Sequence, residues 1–156
     1  EFEPCYQFIF NQFDNIKSTL DRHKKNKRTL NKFTKDELCI FEVADNAYSK
    51  QEFFDVLIKL HQKRWKQKGK QGVFDNPVFL DFHRSLLLDA NFAKFVLLSA
   101  IKYNLEIISV NYSFCFKDKI YFYQAGINSA FKPNFSPGVL NHLLLINHGR
   151  NLRSKN

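Results

Sequence analysis

Methionine is absent from this 156-residue chain, and cysteine, glycine and proline are scarce, at three, five and four residues. Cys5, Cys39 and Cys115 are odd in number, far apart and form no CxxC pair. That argues against a disulfide framework or a cysteine zinc site and suits a reducing, cytoplasmic compartment. The five histidines, His23, His61, His83, His142 and His148, share no ligand spacing, and there is no HExxH or paired-carboxylate motif. No metal is called for. A GxSxG elbow and a Walker loop are also missing, which removes the common serine-hydrolase and P-loop readings. No apolar run is long enough to span a bilayer, and no secretory signal pattern is present. Glycine and proline are too sparse to build a flexible linker, and no internal repeat occurs. The first residue is Glu1, not methionine, so a fragment or a processed chain is expected.

Phenylalanine is abundant, at 18 residues, and 44% hydrophobic with 25% charged residues is a globular composition. The length suits one domain with a sizeable core, so residues 1–156 are read as a single unit. Basic residues outnumber acidic ones by 24 to 15, giving +9 and a pI near 9.5. Such a balance favours anionic partners: nucleic acid, phosphorylated cofactors or acidic surfaces. The charge gathers in Arg22–Arg28 and in Lys63–Lys70, and either cluster can equally be a solvated helix face.

Residues 6–10 alternate as a short strand, residues 11–35 turn helical, and residues 38–43 form a strand candidate. Ser49 with Glu52 predicts a capping box that opens a helix to about Lys68, stopped by Gly69. Its apolar stripe is Phe53, Phe54, Leu57, Leu60 and the Trp65 ring. Asn76-Pro77 starts a second helix carrying Phe79, Phe82, Leu86 and Leu87. Strands are expected over 95–103, 107–116 and 120–126, forming an antiparallel meander. The middle strand should show Ile108, Val110, Tyr112, Phe114 and Phe116 on one face. Ser109, Asn111, Ser113 and Cys115 should lie on the other. Asn104 tolerates a left-handed conformation but Leu105 resists one by roughly 1–2 kcal/mol, so the geometry of the turn is expected to differ from that of a glycine-containing hairpin. Pro137-Gly138 opens a last helix, to about His148 with Gly149 as its stop. Helices, then a meander, then a helix make an α+β arrangement.

Several of these residues can carry chemistry. Ser136-Pro137-Gly138 at a helix start offers free N–H groups and the positive end of a helix dipole to an anion. His61 shares a helix face with Phe54, Leu57 and Trp65, where a histidine serves as a packed core residue or as a general base. His83 has the same two readings. Arg64 can clamp a carboxylate or phosphate, or simply cover the helix.

The chain carries, in order, a basic helix from Leu20 to Phe33, Leu60-His61-x-x-Arg64-Trp65, Gly72-Val73-Phe74 and Phe82-His83. A meander with Tyr121-Phe122-Tyr123 follows, then Ser136-Pro137-Gly138. Over about residues 18–149 this pattern resembles the GNAT superfamily of acyl-CoA N-acyltransferases. Within it the likeness is to the CelD/BcsL-like acetyltransferases linked to cellulose and exopolysaccharide biosynthesis, relatives of the FemAB-type transferases. The resemblance implies acetyl-CoA, or another acyl-CoA, bound beside the third meander strand with its pyrophosphate near Gly138. It implies a sugar or amine acceptor, held against the thioester while a base or water removes its proton. Carried over by position, Gln124, Ser136, Gly138, Val139 and Leu140 are the cofactor-binding candidates. His61, Arg64, His83 and Tyr123 are the catalytic ones, with Tyr123 and Gln124 close to the thioester.

The resemblance also implies further strands after the last helix. Arg150 to Asn156 are too few and too polar to supply them, so a domain incomplete at its C-terminus is expected. A basic nucleic-acid-binding module and a non-catalytic interaction fragment stand as alternatives.

Overall fold

A basic helix, α1 (Lys24–Phe33), and the β-forming run of β1 (Cys39–Val43) come first in the computed structural model, which describes residues 24–117, 119–131 and 136–153. The strand expected over residues 6–10 and the start of the first helix lie outside the described residues. Asn46 then caps α2 (Ala47–Gln67). Its side chain accepts the Ser49 N–H at 2.9 Å, and Ser49 Oγ accepts the Asn46 N–H at 3.2 Å. The capping box therefore forms one turn earlier than expected, with Ser49 at its third helical position rather than at the cap. Asn46 is as good an acceptor as serine, and capping there lets residues 47–49 join the helix. The helix ends as expected before Gly69, whose φ is 67°.

A single 3₁₀ turn (Val73–Asp75) leads to α3 (Pro77–Leu88), where Asn76 Oδ1 accepts the Val78 and Phe79 N–H groups. The 3₁₀ turn and the one-turn α4 (Ala90–Ala93) are not visible in the hydrophobic pattern. The meander follows as β2 (Val96–Tyr103), β3 (Glu106–Phe116) and β4 (Lys119–Ile127), and α5 (Pro137–Arg153) comes last. All pairings are antiparallel and the order is β1-β2-β3-β4, so β1 extends the meander on its β2 side. This is the α+β, GNAT-like arrangement expected. No helix among the described residues is long and apolar enough to cross a membrane.

Three local expectations give way to longer-range packing. Leu105 does adopt the left-handed conformation, with φ 68° beside 49° at Asn104, because the paired strands on either side fix a two-residue turn. Gly149 does not stop α5, which runs on to Arg153 with Gly149 buried inside it. A glycine within a helix costs about 1 kcal/mol relative to alanine, a sum that packing of the helix readily offsets. The single apolar row on β3 is also broken. Ser109 lies opposite Ile101 and Ile107 opposite Lys102, leaving Ile108 as the extra residue of a bulge. Val110 and Tyr112 therefore pack with Phe54, Leu57 and Leu98, whereas Ile108 packs with Ile101 and Leu140 in a second cluster.

The two clusters define two layers, one on each side of the sheet. Helix α2 and the 3₁₀ turn bring Phe53, Phe54, Leu57 and Phe74 onto the first face, with Leu87 of α3. Helix α5 covers the second face with Leu140 and Leu144, joined by Leu30 and Phe33 of α1. Gly126 allows β4 to lie directly against α2. A Cβ there would meet the Leu57 carbonyl oxygen and Leu60 Cβ, each at 2.9 Å. Burial, together with the nearby Asp36 carboxylate, pushes the Cys39 thiol up to about 11, so it packs as a protonated small hydrophobe.

Candidate active site

Strand β4 holds the key irregularity. Gln124 pairs with Tyr112 and Phe122 with Ser113, so Tyr123 is an extra residue bulged out of the ladder. Such a bulge re-aims side chains, and here it turns Tyr123 and Gln124 toward the α2–α3 face together. The Tyr123 ring lies 5.3 Å from His83, 5.7 Å from Tyr112 and 5.5 Å from Phe114, centroid to centroid. Gln124 approaches His61. Tyr123 remains 37% exposed, so the cluster has one open side.

His83, on the inner face of α3, is 2% exposed, and its Nδ1 shares a 2.9 Å hydrogen bond with the Tyr112 hydroxyl. Burial lowers its pKa, so the ring is neutral near pH 7. Burial likewise raises the pKa of the Tyr112 phenol, with a smaller contribution from Tyr123, and raises that of Tyr123. Both phenols hold their protons. Phe82, expected on the buried stripe of α3, is 58% exposed, because His83 takes the inward position instead.

His61 is 4% exposed, and both of its ring nitrogens have partners. Trp65 Nε1–H donates to Nε2 at 2.8 Å, which leaves the proton on Nδ1, 3.1 Å from Gln62 Oε1. Desolvation lowers its pKa, assisted by the nearby Arg64 charge and opposed by Gln62, Gln124 and Asp75. A histidine so engaged orients Trp65 and Gln62 and presents no free lone pair. Phe74 stands 5.0 Å from the His61 ring, Phe79 5.6 Å from Phe74, and His83 4.5 Å from Phe79. The two histidines are thus joined by a continuous aromatic wall.

The start of α5 lies on the other side of β4. Gly138 packs on Ile127 so closely that a Cβ would come within 2.5 Å of Ile127 Cδ1. The first helical bond runs from Leu140 N–H to the Ser136 carbonyl at 2.9 Å, and Pro137 has no N–H. The Gly138 and Val139 N–H groups are therefore those the helix leaves over. Leu140 is fully buried in the second core cluster, and its N–H is already given to Ser136.

The structure thus brings His61, His83, Tyr123 and Gln124 to one face of β4, and Ser136, Gly138 and Val139 to the helix start beyond it. Arg64 is exposed and stands outside the cluster. Tyr112, which closes the site from beneath, is not singled out by spacing. Its signal is chemical: a tyrosine hydroxyl in an apolar row must find a partner, and a buried histidine is a natural one. No group of histidine, cysteine, aspartate and glutamate able to hold a metal occurs among the described residues.

No curated protein matches the sequence. Residues 21–153 match the acetyltransferase (GNAT) domain family, whose members use acyl-CoA. With the antiparallel meander, the bulged third strand and the helix that follows it, that match places the chain in the GNAT acetyltransferase family, as an acyl-CoA-dependent acyltransferase domain.

Proposed function

We propose that the domain transfers an acetyl group from acetyl-CoA to a hydroxyl or amine of a sugar or related amine acceptor, in the manner of the CelD/BcsL-like group. The observation that carries this reading is the bulge at Tyr123. It places a protonated phenol at the open side of an aromatic pocket, on a strand whose outer edge has no partner strand among the described residues.

The parts have distinct tasks in this reading. The amides of the pantetheine arm pair with the free edge of β4, as an added strand would. The pyrophosphate sits on the Gly138 and Val139 N–H groups and the Ser136 hydroxyl, at the positive end of α5. Leu140 contributes packing that holds this turn in place. The acceptor oxygen or nitrogen attacks the thioester carbonyl, the C–S bond breaks, and the sulfur takes a proton. Tyr123 gives that proton in this reading, which its burial-raised pKa supports by keeping the phenol protonated. The acceptor's own proton leaves to water. His83 and Tyr112 hold the Tyr123 ring from below, and Gln124 lies near His61 beside it. His61 acts by positioning, because both of its ring nitrogens are spent on Trp65 and Gln62, and His83 acts through the bond of its Nδ1 to the Tyr112 hydroxyl. Arg64 takes no part in the transfer.

Release of free thiol from acetyl-CoA, measured across a panel of amino sugars, neutral sugars and simple amines, tests the reading. Tyr123→Phe should lower kcat by about two orders of magnitude with little change in acetyl-CoA binding. Failure of acetyl-CoA to bind in calorimetry defeats the reading. An unchanged kcat in Tyr123→Phe removes the phenol as proton donor.

A further inference from the structure

Beside the aromatic wall lies an open depression of about 340 Å³ lined by Gln71, Gly72, Val73, Asp75, Asn76 and Phe79. Phe79 is shared with the site already described. Its ring is nearly parallel to that of Tyr123, at 21° and 6.4 Å, so the depression opens one aromatic ring away from the bulge. We propose that this depression is the acceptor subsite and that it takes a pyranose through a vicinal pair of hydroxyls. The proposal rests on the acyl-transfer reading and narrows its acceptor to a carbohydrate.

Three features of the lining suit that ligand. Asn76 Oδ1 already accepts two N–H groups of α3, at 3.0 and 3.3 Å, which fixes the amide and leaves Nδ2 as a donor. Asp75, next to it, is exposed, and its carboxylate makes no hydrogen bond or ion pair with the described residues. A carboxylate that only accepts, beside an amide that only donates, matches a diol, in which each hydroxyl both gives and takes a hydrogen bond. Phe79 supplies an apolar ring against which the C–H face of a sugar can rest. The charge of the lining points the same way. In a chain of +9, this depression contains one aspartate and no lysine or arginine, so it does not select an anionic acceptor.

Binding of glucosamine and of cellobiose to the full chain, by ligand-observed NMR without acetyl-CoA, tests the subsite apart from any turnover. Saturable binding is expected for at least one, weakened about tenfold or more by Asp75→Asn, as befits loss of a charged hydrogen bond. Asp75→Asn should leave the acetyl-CoA Kd unchanged in calorimetry. Absence of binding by either sugar, or equal binding by Asp75→Asn, overturns the proposal. The two readings separate cleanly. Acetyl-CoA binding without sugar binding removes the subsite and spares acyl transfer, whereas sugar binding without acetyl-CoA binding does the reverse.

Discussion

The two faces of this sheet are buried to a similar degree by different chemistry. Toward α2 and α3, β3 presents Val110, Tyr112 and Phe114 to a shell of phenylalanines in which His61, His83 and Tyr123 are set. Toward α5, the same strand presents Ser109, Asn111 and Ser113, each fully buried. Asn141 of α5 reaches down to that face. Its Oδ1 accepts the Ser99 hydroxyl at 2.6 Å, and its Nδ2 donates to the Ser99 carbonyl at 3.2 Å and to Ser109 at 3.4 Å. An apolar face tolerates repacking, whereas a polar one fixes where its helix must sit, since a shift leaves donors unpaired. The aromatic face carries the open site, and the polar face anchors the helix whose first turn meets the end of β4. One face supplies chemistry and the other supplies register.

Breaking the aromatic face should have the largest effect. Phe54 is fully buried, edge-on to Phe74 at 5.8 Å and to Tyr112 at 5.7 Å. Phe54→Ala should cost about 3–5 kcal/mol in urea unfolding, through lost transfer energy and a cavity. Asn141→Ala attacks the other face. It should cost about 2–3 kcal/mol, because it leaves the Ser99 and Ser109 groups buried without their partner. If the polar face sets the register of α5, Asn141→Ala should also weaken acetyl-CoA binding, while a conservative repacking such as Leu57→Met should not.

The sequence showed the elements well where a short-range rule governed them. The spacing of Phe53, Phe54, Leu57 and Leu60 marks α2, Asn76-Pro77 marks the start of α3, and alternation marks the meander. It did not show the single-residue bulges. Nothing in the composition around Ile108 or Tyr123 distinguishes an inserted residue from a paired one, because the insertion is defined only against the neighbouring strand. Alternation also gave β3 a polar side at Ser109, Asn111 and Ser113. Whether water or α5 covers that side depends on a helix about thirty residues further along. The candidate site was legible as a set of motifs, and the partners were not. His61 was visible as a residue on an apolar face, but its capture by Trp65 and Gln62 depends on side-chain rotamers. The bond between His83 and Tyr112 joins positions 29 residues apart, which no local pattern reports.

Lowering the pH probes both faces together. His61 and His83 on the aromatic side, and His142, packed on Phe122 at 4.7 Å on the other, all have pKa values lowered chiefly by burial. Above the ordinary value of 6.5 these rings are neutral in both the folded and the unfolded chain, so they leave stability unchanged. Below 6.5 the unfolded chain takes up protons that the folded rings still refuse, and stability falls until the folded pKa values are reached. The urea midpoint should therefore drop between pH 7.5 and pH 5.5. His83→Gln and His142→Gln should each flatten part of that slope. His148, packed on Phe41 at 6.4 Å, is likewise lowered by burial, so the acid sensitivity belongs to the aromatic face alone only if neither His142→Gln nor His148→Gln flattens the slope.

The smallest expected effect is also the sharpest test of the polar face. Ser113 Oγ and both amide atoms of Asn111 are buried without a hydrogen-bond partner, in contrast to the satisfied trio of Ser99, Ser109 and Asn141 beside them. A buried hydroxyl with no partner costs free energy that alanine does not, and the methyl group it leaves is nearly the same shape. Ser113→Ala should then raise stability by up to about 1 kcal/mol in urea unfolding. A loss of similar size would mean that ordered water reaches Ser113 and Asn111, because removing the hydroxyl would then break a hydrated bond. The sign of that one change decides whether the polar face is a dry register for α5 or a hydrated seam along it.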